Sequence, residues 1–139
     1  MGCENQETRW RRVLPSELGA YHALIDEILE SLRAENWEKR DLFAVHMALE
    51  ESISNAIRHG NKLDQAKHVT VECTASAERF WARICDEGAG YRREAIPDCR
   101  SDDRLEAPGG RGLALIEAYM DVVELNETGN CITMEKRRR

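Results

Sequence analysis

A regular alternation of apolar and polar residues in the middle of the chain is the feature that most constrains its fold. Every second residue is apolar in two segments that flank a turn at 76–78: Val69, Val71 and Cys73 in the first, and Phe80, Ala82 and Ile84 in the second. A period of two residues is typical of β-strands that bury one face. The two segments are therefore predicted to form an antiparallel β-hairpin.

Two amphipathic helices are predicted before this hairpin. The first begins near Ser16, a residue suited to capping a helix, and continues to Arg33. The second begins at Asn36 as its cap and ends at Gly60, which offers a left-handed stop. Both have apolar residues three or four positions apart: Tyr21, Leu24, Ile25, Ile28, Leu29 and Leu32 in the first, and Leu42, Val45, Leu49, Ile53 and Ala56 in the second.

The remaining segments complete one small α/β domain. A strand is predicted at Arg9–Leu14, a helix from Gly110, and two short strands at Asp121–Leu125 and Cys131–Glu135. The segment from Tyr91 to Pro108 has neither period, and a patternless loop of that length indicates either disorder or a functional lid. With 139 residues the chain is long enough for one core and too short for two.

Charge and composition exclude several classes of function. The net charge of -6 and the pI of about 5.3 argue against a general nucleic-acid binder. The basic run Lys136–Arg139 is predicted to be a solvated tail. No stretch has the roughly 20 apolar residues that span a bilayer, and no signal peptide is present, so a cytoplasmic protein without membrane contact is expected. Its five cysteines lack any metal-ligand spacing and are expected to be reduced thiols.

A polar stripe on the second helix is the first candidate site. Glu51, Asn55 and His59 recur at helical spacing, away from the apolar side of the helix. One interpretation is an ordinary solvated face. The other is a cleft in which Glu51 acts as a general base and Asn55 as a neutral ligand to Mg2+. Spacing alone does not decide between them.

Two glycine-rich segments form the second candidate site. Asp86-Glu87-Gly88-Ala89-Gly90 follows an apolar strand, and Gly109-Gly110-Arg111-Gly112-Leu113 opens a helix. Each is typical of a simple turn. A helix N-terminus can also hold phosphate oxygens, so together the two segments could frame a nucleotide. Neither contains the Walker pattern or a strand followed at once by GxGxxG.

Taken in order, these segments resemble a known family. Glu51-x-x-x-Asn55-Ala56, Asp86-x-Gly88-x-Gly90 and Gly110-x-Gly112-Leu113 are similar to the three ATP-binding boxes of the GHKL fold, shared by histidine kinases and gyrase. Within it, the chain most resembles the RsbW/SpoIIAB-type anti-sigma factor serine kinases. The resemblance implies an α+β Bergerat fold: a two-layer sandwich with a mixed, mostly antiparallel sheet covered on one face by helices.

The resemblance also implies ATP and Mg2+ as cofactors and assigns roles to individual residues. Glu51 would be the catalytic base, Asn55 the Mg2+ ligand, and Asp86 the acceptor of the adenine amino group. The nucleotide would further be bound by a set of residues from all three boxes and the last strand: His59, Gly88, Gly90, Gly110, Arg111, Gly112, Leu113 and Thr133. An ordinary strand residue remains an equal alternative for Thr133, as does an exposed or capping residue for His59.

The implied function is a serine/threonine kinase that phosphorylates a STAS-like anti-anti-sigma factor and sequesters a sigma factor, acting as a homodimer. The implied domain covers residues 9–136 with an ATP lid at 91–109, between a flexible tail at 1–8 and a basic tail at 137–139. Three alternatives stay open: a non-catalytic nucleotide-dependent binding module, the ATP-binding domain of a sensor histidine kinase system, and an interaction domain that binds no nucleotide.

Overall fold

The computed structural model describes residues 7–88 and 110–138, which form a five-stranded sheet with three α-helices. The sheet order is β1-β2-β3-β5-β4, and each pair of neighbouring strands in it is antiparallel. The elements are β1 (Thr8–Pro15), α1 (His22–Ala34), α2 (Lys39–Asn55) with a π-helical turn (Ala56–Gly60), β2 (His68–Ala75), β3 (Arg79–Cys85), α3 (Gly110–Tyr119), β4 (Val122–Leu125) and β5 (Cys131–Arg137). This is the predicted α+β architecture and element order.

One face of the sheet carries the core. The alternating apolar residues of β2 and β3 are buried and pack with the apolar stripes of α1 and α2, as the two periods predicted. In β5, Ile132 and Met134 continue this buried face. The opposite face of β3 and β5 is partly exposed, so the sheet is covered by helices on one side.

Both helices begin later than the sequence indicated. Ser16 does not cap α1: its hydroxyl is buried and donates a hydrogen bond to the carbonyl of Lys67 at 2.6 Å. Asn36 does not cap α2 either, because its φ of 67° places it in a left-handed turn, and the residue before the first helical turn is Glu38. In both places a tertiary contact or a turn overrides the local capping preference.

The end of α2 also differs from the prediction. Gly60 does not provide a left-handed stop, since the residues with positive φ near this end are Lys62 and Leu63. The helix instead widens into a π-helical turn, closed by the hydrogen bond from Asn61 N–H to the carbonyl of Ala56 at 2.8 Å. Such turns recur at functional sites.

The expectation of reduced thiols is wrong for two of the five cysteines. Cys85 and Cys131 lie directly opposite each other on β3 and β5 and are joined by a disulfide bond. Directly opposed positions on antiparallel strands bring side chains close enough for this bond. Cys73 is a buried free thiol, and burial raises its pKa to about 12.

The described part of the basic C-terminal run, residues 136–138, is not simply a solvated tail, although Arg137 and Arg138 are exposed. β5 continues to Arg137, and the buried Lys136 donates its Nζ proton to the carbonyl of Tyr119 at the end of α3. The guanidinium of Arg138 donates to the carbonyls of Glu35, Asn36 and Ala77. These cations satisfy carbonyl groups at element ends. Within the described ranges, no helix has the length and apolarity needed to cross a membrane.

Candidate functional site

The candidate site is a cleft between the C-terminal end of α2 and the adjacent ends of β3 and β5. The predicted residues that line it are Asn55, His59 and Asp86. The other residues of its wall are Ser52, Ala56, Gly60, Ile84, Ile116, Leu125, Gly129, Asn130, Cys131 and Ile132. The cavity volume is about 30 Å³, enough for one or two water molecules. Apolar walls with a few converging polar groups are typical of ligand pockets.

Asp86 is held firmly at the end of β3. Its N–H donates to the carbonyl of Asn130 at 2.9 Å, and its Oδ1 accepts a hydrogen bond from the Gly88 N–H at 2.7 Å. The side chain is partly buried, and this desolvation raises the pKa of Asp86, while the Gly88 N–H and the charge of Lys67 lower it. A carboxylate can accept about four hydrogen bonds, so the Asp86 side chain can accept one from an amino group in addition to the one from the Gly88 N–H.

Two glycines allow the chain to pack directly against this carboxylate. A Cβ added to Gly60 would lie 2.2 Å from Asp86 Oδ2, and one added to Gly88 would lie 2.0 Å from the carbonyl oxygen of Gly60. Neither position can hold a larger residue without displacement. The importance of Gly60 was missed by sequence reasoning, which treated it as a helix stop, because the contact joins residues far apart in the chain.

Asn61, directly after the π-helical turn, connects this turn to the segment that carries Asp86. Its buried amide donates to Ser16 Oγ at 2.9 Å and to the carbonyl of His68 at 3.0 Å. Its Oδ1 accepts the N–H of Glu87 at 2.7 Å. A fully satisfied buried amide of this kind fixes the relative position of the segments it joins. No periodic signal in the sequence marks this residue.

Asn130 is a second residue that the sequence did not reveal. Its Nδ2 donates to the carbonyl of Asp86 at 3.2 Å, and its Oδ1 accepts from Asn126 Nδ2 at 2.8 Å and from Thr128 Oγ1 at 2.7 Å. The loop between β4 and β5 is thereby ordered beside Asp86. The only available signal was its place just before an alternating strand.

Thr133 does not line this cleft. It pairs with Arg83 in the ladder, and its neighbours Ile132 and Met134 face the core. Because successive strand residues point to opposite faces, Thr133 lies on the outer face of the sheet. The resemblance placed it beside Asp86, where the structure has Asn130 instead.

Asn55 lies against the first turn of α3. A Cβ added to Gly112 would be 1.9 Å from Asn55 Nδ2, so this glycine permits the close approach of the two helices. His59 lies one turn further along the helix and is partly buried. Glu51, one turn before Asn55, is partly exposed and stands outside the described lining of the cleft.

The N-terminus of α3 faces the same end of α2. The helix begins at Gly110, as predicted, and Gly112 and Leu113 are buried. Leu113 belongs to the hydrophobic core. The side chain of Arg111, Gly90 and the predicted lid at 91–109 lie outside the described residues.

The chemistry of the cleft fits a nucleotide with a bound cation. Asp86 offers a hydrogen-bond acceptor beside a tight backbone cradle, and Asn55 offers a neutral oxygen ligand close to a helix N-terminus. Within 7–88 and 110–138 no three His, Cys, Asp or Glu side chains form a metal cluster.

Comparison with known proteins finds a matching family model and several relatives of related description. Residues 14–136 match the family model described as histidine kinase-like ATPase domain. The serine-protein kinase RsbW of Listeria monocytogenes is 31% identical over 97 residues, which cover 65% of this chain and 62% of the relative. The anti-sigma F factor of Clostridium perfringens is 27% identical over 104 residues, covering 70% of this chain and 73% of the relative.

A solved structure has the same fold. The chain is similar, with a TM-score of 0.62 and 17% identity, to the structure of the RsbU and RsbW domains of Rv1364c from Mycobacterium tuberculosis, of which it covers 32%. The match includes 95% of this chain. Since the family model spans most of the sequence, the chain belongs to the histidine kinase-like ATPase domain family.

Proposed function

We propose that the chain is an ATP- and Mg2+-dependent serine/threonine protein kinase of the anti-sigma factor type. Its substrate would be a STAS-like anti-anti-sigma protein, and its other partner a sigma factor, both in the cytoplasm. The observation that carries the proposal is that Asp86 and Asn55 line one cleft and that Asn55 lies beside the first turn of α3. The names of the relatives, a serine-protein kinase and an anti-sigma factor, support it.

The adenine end of the site is assigned to Asp86. Its carboxylate would accept a hydrogen bond from the exocyclic amino group of the base, while Gly60 and Gly88 let the backbone pack directly against this carboxylate. Asn130 holds the carbonyl of Asp86 and thereby keeps the carboxylate in place. Guanine would present a carbonyl to the same carboxylate, and two facing acceptors repel each other, so adenine is favoured.

The phosphate end is assigned to Asn55 and α3. Mg2+, when bound, neutralises charge on the phosphates and fixes their position. Asn55 would contribute its amide oxygen as a ligand, and His59 would lie one turn further along the helix. The free N–H groups at Gly110, Arg111 and Gly112 would bind phosphate oxygens, because a helix N-terminus carries partial positive charge. Leu113 anchors this helix in the core.

Glu51 is assigned the transfer of the proton. It lies one turn before Asn55 on the same side of α2 and is accessible to a second protein. A substrate serine placed between them would lose its hydroxyl proton to the Glu51 carboxylate as its oxygen bonds to the terminal phosphorus of ATP. The bond from this phosphorus to the bridging oxygen would break, and ADP would leave. Most of the catalysis would come from positioning and from charge neutralisation, as is general for phosphoryl transfer.

Nucleotide entry requires the cleft to widen. The contact between Gly112 and Asn55 occupies the phosphate end, so the N-terminal turn of α3 has to move away from α2. Motion of a lid and of the helix that follows it is a common way to admit a nucleotide and then exclude water.

A titration with Mg-ATP followed by a phosphotransfer assay with candidate STAS proteins tests this proposal. Asp86→Asn is expected to abolish binding, whereas the control Glu87→Gln should bind normally because Glu87 is exposed. Glu51→Ala is expected to bind ATP without transferring phosphate, and the neighbouring Glu50→Ala should do both.

Normal ATP binding by Asp86→Asn would show that the adenine assignment is wrong. Binding without phosphorylation of any STAS candidate by the unmodified protein would favour a non-catalytic binding module over the kinase.

A further inference from the structure

The disulfide between Cys85 and Cys131 lies next to the residue assigned to the base. The two cysteines are opposed at the ends of β3 and β5, and the next residues along these strands, Asp86 and Asn130, are joined by two hydrogen bonds. Cys131 itself lines the cleft. The wall that carries Asp86 is therefore held by one covalent bond and by the hydrogen bonds immediately beyond it.

Both sulfur-bearing residues are accessible from solvent. Cys85 and Cys131 are partly exposed because they belong to the face of the sheet that the helices do not cover. Cys73, which faces the core, is 1% exposed. A thiol reagent can reach the disulfide without unfolding the sheet, and accessible disulfides are the ones that exchange.

We propose that Cys85 and Cys131 form a reversible thiol–disulfide exchange site that adjusts the affinity of the neighbouring cleft for nucleotide. The inference rests on the proposed function of the cleft. In the cytoplasm disulfides are usually transient and often sense redox conditions, which agrees with a reversible role.

The co-reactant is a dithiol of the thioredoxin class. One thiolate of the dithiol attacks a sulfur of the Cys85–Cys131 bond and forms a mixed disulfide, and the other cysteine leaves as a thiolate that takes up a proton. The second thiol of the dithiol then displaces the remaining cysteine. The protein gains two thiols, and the dithiol becomes a disulfide, so the two electrons are accounted for.

Reduction should weaken nucleotide binding. Once the bond is broken, the two sulfurs separate to non-bonded distance. Asp86 then loses its covalent link to β5 and keeps its hydrogen bonds to Asn130 and Gly88 and the bond from Glu87 N–H to Asn61. A less ordered carboxylate has to be immobilised when the base binds. The dissociation constant is expected to rise about three- to tenfold on reduction.

The experiment measures binding of a trinitrophenyl-ATP probe to the full chain in oxidised and reduced dithiol buffers. Peptide mapping after alkylation gives the state of each cysteine, and hydrogen exchange follows residues 84–88. The double variant Cys85→Ser/Cys131→Ser should show the weaker affinity in both buffers. The matched control Cys3→Ser should respond to reduction as the unmodified protein does.

Two results would overturn the inference: no peptide linking Cys85 to Cys131 in the oxidised buffer, or dissociation constants equal within about twofold in the two buffers. A chain that binds no nucleotide in either buffer would refute the proposed function instead. In that case two other measurements test the exchange site: the peptide that links Cys85 to Cys131, and faster hydrogen exchange of residues 84–88 after reduction. The exchange site is refuted if the linked peptide is not found or if hydrogen exchange does not become faster.

Discussion

Substitution of Gly60 by alanine should weaken nucleotide binding strongly while leaving the fold intact. The added Cβ would lie 2.2 Å from Oδ2, 2.3 Å from Cγ and 2.8 Å from Oδ1 of Asp86, whereas ordinary contacts begin at 3.4 Å. The carboxylate therefore has to retreat by about 1 Å. It has little freedom to do so, because the Asp86 N–H is bonded to Asn130 and Oδ1 to the Gly88 N–H.

The size of the effect follows from these contacts. Overpacking of this kind typically costs about 1–3 kcal/mol of folding free energy. A hydrogen bond to a charged acceptor contributes about 1.5–3 kcal/mol, so its loss should weaken ATP binding roughly 10- to 100-fold. The effect on binding should thus exceed what a merely destabilised fold would produce.

Calorimetric titration with Mg-ATP and urea unfolding, carried out on the same preparations, separate the two effects. Gly19→Ala is the matched control: its φ of +92° makes alanine strained, but the nearest atom to the added Cβ is 3.7 Å away and belongs to His22, which does not line the cleft. It should lose about 1 kcal/mol of stability and bind ATP normally. If Gly60→Ala binds ATP within about twofold of the unmodified protein, the assignment of this cradle is refuted.

Three further predictions concern other parts of the cleft. Gly112→Ala should weaken ATP binding in the presence of Mg2+ far more than in EDTA, because its Cβ would lie 1.9 Å from Asn55 Nδ2; equal losses in calorimetric titrations under the two conditions would contradict this. Asp86→Asn should raise the free energy of unfolding at neutral pH, since burial raises the pKa of this carboxyl group and ionisation therefore costs stability above its ordinary pKa of 3.8. That gain should disappear in urea titrations as the pH falls below this value, where the group is protonated in both states, and a less stable variant at neutral pH would refute the reasoning. Reduction of the disulfide between Cys85 and Cys131, which are 46 residues apart, should lower the free energy of unfolding by up to about 4 kcal/mol through loop entropy, and an unchanged urea midpoint would show that the bond is absent in solution.

The fold could be predicted from the sequence because both periods are well marked. The alternation in β2 and β3 and the helical spacing in α1 and α2 depend only on which residues face the core. The helix starts could not be predicted in the same way. Ser16 and Asn36 are good caps locally, but Ser16 is engaged by Asn61 and Lys67, and Asn36 turns the chain before α2.

The candidate site was only partly visible for a related reason. Asn55 and Asp86 stand in recognisable motifs, and the structure brings them to one cleft. Gly60 and the cysteine pair carry no local signal, because their meaning depends on contacts between distant segments, such as the register that opposes Cys85 and Cys131. The outward direction of Thr133 follows from the alternation in β5 and agrees with the alternative of an ordinary strand residue, which the sequence left equal to the role that the resemblance implied.

The two ends of the cleft differ in how they are held, and this difference determines how the cleft can open. The Asp86 end is fixed to β5 and the residue before it by the disulfide between Cys85 and Cys131 and by the hydrogen bonds between Asp86 and Asn130. It is also fixed to the buried Asn61, whose Oδ1 accepts a hydrogen bond from the Glu87 N–H. At the other end, α3 approaches Asn55 through packing at Gly112, while its C-terminus is pinned where Lys136 Nζ donates to Tyr119. Because a packing contact yields more readily than these bonds, we expect α3 to swing about its C-terminal end when the cleft admits a nucleotide, with the sheet remaining still.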